Sequence, residues 1–257
     1  MEWIETDGVR WLEATLGPAG SGAGKVGFGS RVGGVSAAPY DSLNIGVLTE
    51  DADANVVVNR ARLAAAVGIE LRNVPIGLQV HKADIAVHAG PQEPSPYAEP
   101  GTALEEVDGH VVRGPDLAPL VLTADCLPVA LAGPGGVAML HCGWRGLAAG
   151  IVERGALAVE ATSAAIGPGI GPCCYEIGPE VLDAFADLGE GIADARMLDL
   201  PEVARRLLAR AGVEEVESAG LCTFCEAELF FSHRRDQGVT GRMGNLAWID
   251  ASGQESA

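Results

Sequence analysis

Lysine is nearly missing from this chain of 257 residues. Lys25 and Lys82 are the only two among 17 basic residues, so almost every fixed cation is a guanidinium. Such a set suits bidentate contacts to oxyanions, although coding bias yields the same composition. Positive charge is scarce overall: 35 acidic residues leave a formal charge of −18, which repels nucleic-acid phosphates and anionic lipid headgroups and argues against binding either. Long apolar runs are missing too. Stretches such as Pro128–Ala132 and Val137–Leu140 fall far short of the roughly 18 residues a membrane helix needs. The start, Met1 to Asp7, is acidic where a secretory signal carries positive charge before an apolar segment. A soluble, cytoplasmic protein is the expectation. No stretch resembles an interdomain linker and no internal repeat occurs, so the whole of 1–257 reads as a single domain.

What the chain does have is a 48% hydrophobic content, enough for a sizeable core. Helical periodicity marks Asn55–Val67, Leu147–Ala161, Glu180–Leu188 and Glu202–Ala211. Runs of strand character cover Trp11–Leu16, Val26–Ser30, Ile76–His81, Ile85–His88, Val107–Val112, Leu120–Thr123, Pro128–Ala132, Val137–His141, Ser163–Ile166, Val213–Glu217 and Leu246–Ile249. Several of these strands follow one another without a helix between them, which disfavours βαβ alternation. The predicted class is α+β, with mixed β-sheets layered between outer helices in an αββα-like sandwich. Gly17–Gly24 and Pro91–Gly101 have loop compositions and are expected at the surface.

Potential metal ligands collect at the ends of three elements, in Gln79-Val80-His81, Ala124-Asp125-Cys126 and His141-Cys142-Gly143-Trp144-Arg145. Cys126 and His141 flank a predicted hairpin whose Gly-Pro-Gly-Gly turn would bring its two ends together. Two imidazoles and a thiolate suit zinc, and a ligand set of His81, Cys126 and His141 would leave the fourth tetrahedral position open for chemistry. Each residue also has a structural reading, the histidines hydrogen-bonded and the cysteine packed as a small apolar group. Cys222-Thr223-Phe224-Cys225 has the spacing of a metal knuckle, but no second such pair or nearby histidine completes four ligands. Cys173 and Cys174 are expected in a tight turn with a structural role. Without an export signal, all six cysteines are expected as thiols.

The ordered combination of motifs resembles the YfiH-like family, also called the laccase-domain or polyphenol oxidase family and now described as purine nucleoside phosphorylases. The motifs are Ser30 to Ser36 (SRVGGVS), Pro39 to Asn44 (PYDSLN), Asn59-Arg60, Gln79-Val80-His81, Thr123 to Pro128 (TADCLP), His141 to Gly146 (HCGWRG), Ile166 to Glu176 (IGPGIGPCCYE) and Phe230 to Asp236 (FFSHRRD). The resemblance implies a zinc held by His81, Cys126 and His141. It also implies phosphorolysis of adenosine, inosine and 5′-methylthioadenosine, with adenosine deamination besides. Purine nucleosides and phosphate are then the partners, and copper is a possible second metal. The chain departs from the family pattern at Lys82, Cys142 and His233, where Gly, Ala and Tyr are commoner. Cys142 could compete for metal, but neighbours on a strand point to opposite faces, which favours His141.

Phosphorolysis requires an anion held against the ribose C1′. Arg145, at the start of a predicted helix, would combine a guanidinium with helix N-terminal amides, and Arg31 and Arg60 are further phosphate-binding candidates, each with an alternative structural role on loop carbonyls. The roles of Asp125, Tyr175 and Glu176 stay open. Five histidines cannot supply a multicopper cluster, but a mononuclear copper oxidoreductase remains an alternative. So does a Cys-His amide hydrolase of the kind that edits cell-wall peptides.

Overall fold

The computed structural model describes residues 1–17 and 24–250. Its strands are β1 (Glu2–Thr6), β2 (Val9–Leu16), β3 (Gly24–Gly29), β4 (Ile85–His88), β5 (Gly109–Val112), β6 (Leu120–Thr123), β7 (Leu127–Gly133), β8 (Gly136–Cys142), β9 (Ser163–Ile166), β10 (Ala193–Asp194), β11 (Met197–Leu198), β12 (Glu215–Ser218) and β13 (Met243–Ile249). The α-helices are α1 (Asp53–Ala66), α2 (Trp144–Ala148), α3 (Ile151–Val159), α4 (Pro179–Ala184) and α5 (Leu200–Arg210). One sheet runs β1-β2-β3-β13-β6 and is antiparallel throughout; a second, β12-β9-β7-β8-β5-β4, is mixed, with parallel pairs at both ends, and β10 and β11 form a small antiparallel ribbon of their own.

Alternation along the strands builds the layers. In β2, Leu12, Ala14 and Leu16 meet Ala130, Met139 and Ala165 of the other sheet, while Val9 and Trp11 on the opposite face meet Leu63 and Ala64 of α1. In β7 and β8, Val129, Leu131, Ala138 and Leu140 turn outward to Ile151, Val152, Leu207 and Leu208 of α3 and α5. The order helix, sheet, sheet, helices is thus the expected αββα sandwich in one domain.

Four expectations differ from the structure, the first being the helix over Glu180–Leu188, which ends at Ala184 and is followed by a 3-10 turn at Ala186–Leu188. The segment Ile76–His81 is not a strand: Leu78 forms a lone bridge to Glu106, and side chains take over the backbone pairing. The Gln79 amide exchanges both its hydrogen bonds with the backbone of Leu122, as a strand neighbour would, and Asp108 takes the N–H groups of Val80, His81 and Lys82. The helix expected over Leu147–Ala161 is two, α2 and α3, because Gly150 adopts a left-handed conformation at φ 85°. In the second predicted loop, Ser95 and Tyr97 are buried, with the Tyr97 hydroxyl donating to the Arg60 carbonyl. Of the first, residues 18–23 lie outside the described residues.

Candidate active site

The hairpin of β7 and β8 closes through Pro134-Gly135, and its register places Leu127 opposite Cys142 and Pro128 opposite His141. Cys126, one residue before β7, therefore lies beside His141 near the end of β8. The loop after Gln79 brings in the third residue. His81 sits at φ 60°, a left-handed conformation held by the Asp108 carboxylate, and its Nε2 is 3.9 Å from the Cys126 sulfur. The His81 and His141 rings meet edge to face with centroids 4.8 Å apart. The donor atoms of His81, Cys126 and His141 all lie within 4.8 Å of one another. Cys142, the possible competitor, is buried among the apolar residues of the helix-facing core and belongs to no such group among the described residues.

Asp108 organises this triplet, and sequence reasoning missed it. Fully buried just ahead of β5, it receives the N–H groups of the His81 loop and accepts from His141 Nδ1 at 2.8 Å. That bond fixes the tautomer and leaves His141 Nε2 for Cys126 or for a cation, the carboxylate–histidine arrangement common behind metal ligands. Three backbone donors and an imidazole outweigh the effect of burial and hold the Asp108 carboxyl below the usual carboxylate range. Burial would raise the Cys126 thiol, but the charge and hydrogen bond of His141, then those of His81, bring it well down. Burial likewise opposes protonation of His141, and Cys126 with Asp108 overcomes it. These opposed shifts favour a thiolate beside a protonated imidazole, and a divalent cation held by the same atoms would displace that imidazole proton. Two imidazoles and a thiolate converging on one point fit zinc or copper.

Two further residues shape the approach to Cys126. Asp125 has φ 95°, and its buried carboxylate accepts from Thr223 Oγ1 and from the Arg234 N–H, so it anchors the turn that presents the cysteine. Gly143 passes so close that a Cβ there would lie 3.0 Å from the Cys126 sulfur and 3.2 Å from His81 Cδ2.

The triplet opens on a cavity of about 500 Å³, within the range of small-molecule sites, lined among others by Gln79, Leu122, Trp144, Arg145, Tyr175, His233, Arg234 and Arg242. The three candidate arginines part company here. Arg145 is exposed at the cavity, its guanidinium over the Trp144 ring and uncommitted to any carboxylate among the described residues. Arg60 borders the cavity but is buried, donating to the carbonyls of Ile45, Pro96 and Tyr97. Arg31 is not among the lining residues; it bonds Asp41 and the Ala227 carbonyl and covers the Phe231 ring. Arg234 and Arg242, which motif reading did not single out for phosphate, reach the cavity instead, each also bonded to backbone carbonyls. Tyr175 faces the same space, and burial, then the Cys126 charge, pushes its hydroxyl up to about 12. Glu176 turns away to pair with Arg196.

The second cysteine group also differs from expectation. Gly169 bridges Cys222, and this pairing brings Cys173 and Cys174 to Cys222 and Cys225, completing a set of four sulfurs that no local spacing revealed.

A triplet of metal-ligand type lining a cavity of small-molecule size, carried on an αββα sandwich, defines the class. The chain belongs to the family described as multi-copper polyphenol oxidoreductase laccase, whose profile matches residues 25–250. Among its relatives, purine nucleoside phosphorylase YfiH of Shigella flexneri is 39% identical over 234 residues, covering 86% of this chain and 91% of the relative. Purine nucleoside phosphorylase YlmD of Geobacillus stearothermophilus is 36% identical over 261 residues, 93% of each chain. The crystal structure of the Bacillus licheniformis hypothetical protein YfiH superposes with a TM-score of 0.84 at 31% identity, covering 96% of this chain and 99% of that one.

Proposed function

We propose that this protein is a zinc-dependent purine nucleoside phosphorylase, acting on adenosine, inosine and 5′-methylthioadenosine, with adenosine deaminase activity at the same site. The observation that carries the reading is the convergence of the His81, Cys126 and His141 donors with the uncommitted guanidinium of Arg145 on one cavity. The names of the relatives supply the substrate class. The family's laccase description fits less well. His81 and His141 occupy the triplet, His88 and His110 pair with each other, and His233 lines the cavity, so no histidines are left over for a trinuclear copper cluster.

In phosphorolysis a phosphate oxygen forms the bond to C1′ as the C1′–N9 bond breaks, and the purine leaves with a proton. Phosphate must enter a chain of net charge −18, so a local cationic wall is required. Arg145 supplies a planar fork for two phosphate oxygens, with Arg234 and Arg242 adding charge nearby. Because α2 is only five residues long, the guanidinium rather than a helix dipole carries this attraction. The Tyr175 hydroxyl remains protonated across the physiological range and donates to a base or sugar oxygen. A zinc ion held by the triplet would supply Lewis-acid polarisation at the cavity wall.

A second reading has its own observation, since Cys126, His141 and Asp108 stand in the order of a nucleophile, base and orienting acid, as in a Cys-His amide hydrolase. Incubation with adenosine and phosphate separates the two. A zinc phosphorylase releases adenine or hypoxanthine with ribose 1-phosphate and stops when metal is removed. Turnover that survives chelation and fails with iodoacetamide would sink the phosphorylase reading.

A further inference from the structure

Outside the active site, the strongest unassigned chemistry is the group formed by Cys173, Cys174, Cys222 and Cys225. We infer that these four cysteines form a second metal centre, a tetrathiolate site for structural zinc that staples two loops behind the active-site cavity. The four sulfurs all lie within 4.8 Å of one another, with Cys225 at 3.6 Å from Cys173 and 3.5 Å from Cys174. A tetrahedral zinc with Zn–S bonds of about 2.3 Å sets its sulfurs roughly 3.8 Å apart, so the side chains need little movement to close on an ion. All four are free thiols. Four thiols within ligating distance of one another make a complete tetrahedral donor set for a soft divalent cation.

The backbone has the form of a thiolate knuckle. The Cys222 sulfur accepts the N–H of Gly171 at 3.2 Å, so the other loop donates to the first sulfur of the Cys-x-x-Cys turn. Such an N–H donor stabilises a charged sulfur and suits a centre of net negative charge. A cysteine pair some 50 residues upstream supplies the other two ligands, which is why the knuckle spacing looked incomplete in sequence.

The position gives the centre its role. Tyr175, next to Cys174, lines the cavity, and Thr223, next to Cys222, holds Asp125 beside Cys126. An ion shared by the two loops would fix both walls without touching substrate.

Metal analysis of protein purified under reducing conditions with zinc present tests this. Two zinc ions per chain are expected, one after Cys126→Ala, one after Cys225→Ser, and none in the double variant. X-ray absorption on the zinc retained by Cys126→Ala reads the site without disturbing its cysteines, and should give four sulfur neighbours at about 2.3 Å and no nitrogen. One zinc in the wild type and none after Cys126→Ala would overturn the inference. So would full zinc content in Cys225→Ser, nitrogen ligation of the retained ion, or a Cys173–Cys225 disulfide in the purified protein.

Discussion

Asp108 touches no cavity space, yet it fixes two of the three proposed ligands at once, through His141 Nδ1 and through the N–H groups of the His81 loop. Asp108→Asn keeps the size but loses the charge that orients the imidazole. Its zinc affinity should fall at least about tenfold, read by competition with a chromogenic chelator. An unchanged affinity would make Asp108 a loop anchor only. Cys126→Ala should lose the active-site zinc while keeping the fold, since the sandwich has its own core, and circular dichroism alongside metal analysis would check both. At Arg145 the expected effect is on phosphate. Arg145→Lys retains charge but not the fork, and should raise the phosphate KM at least about tenfold, equivalent to roughly 1.4 kcal/mol, with zinc content unchanged. Deamination needs no phosphate and should suffer less. Equal loss of both activities with phosphate affinity unaltered would make Arg145 a structural or base-side residue.

Among the elements, the junction of β8 and α2 carries the tightest constraint. Gly143 is required for space, its φ of −76° being open to any residue. The Cβ of Gly143→Ala would press on the Cys126 sulfur and the His81 ring. Zinc binding should weaken while thermal stability stays close to wild type; retention of full affinity would show that the triplet can shift to accept a methyl group. This junction was largely legible in the sequence, because the hairpin turn and strand alternation place Cys126 and His141 together and turn Cys142 away. The His81 loop was legible only as a ligand position. Its apolar residues read as a strand, whereas its hydrogen bonds go to the side chain of Asp108 and are made by that of Gln79, partners 28 and 43 residues distant that no local period encodes. The split of α2 from α3 had its signal in Gly150, and apolar periodicity on both sides masked it. Arg31 and Arg60 looked like phosphate ligands because arginine offers the same fork to carbonyls, and only packing decides which it meets.

Over the whole molecule, stability should depend on pH through a histidine pair away from the cavity. His110 is buried between the sheets with Nδ1 3.0 Å from His88 Nε2, and no partner meets its Nε2 among the described residues. Burial, then the neighbouring His88, drives it down to about 3, with Asp108 opposing in part. Its folded value lies below the unfolded value near 6.5, so the unfolded chain takes up a proton that the folded chain refuses. Above pH 6.5 the imidazole is neutral in both states and costs nothing; stability is lost as pH falls from there toward 3. Urea midpoints at pH 7 and pH 5 should show a drop in the wild type that His110→Leu reduces, and an identical drop in both would show that His110 contributes nothing to it. The same sandwich that buries His110 also holds His81, Cys126, His141 and Arg145 around one cavity, the set proposed to carry out metal-dependent phosphorolysis. The most direct measurement follows inosine and inorganic phosphate by phosphorus NMR. Ribose 1-phosphate should appear in step with hypoxanthine, cease on chelation and resume when zinc is restored. Hypoxanthine released without a sugar phosphate, or sugar phosphate formation indifferent to chelation, would contradict it.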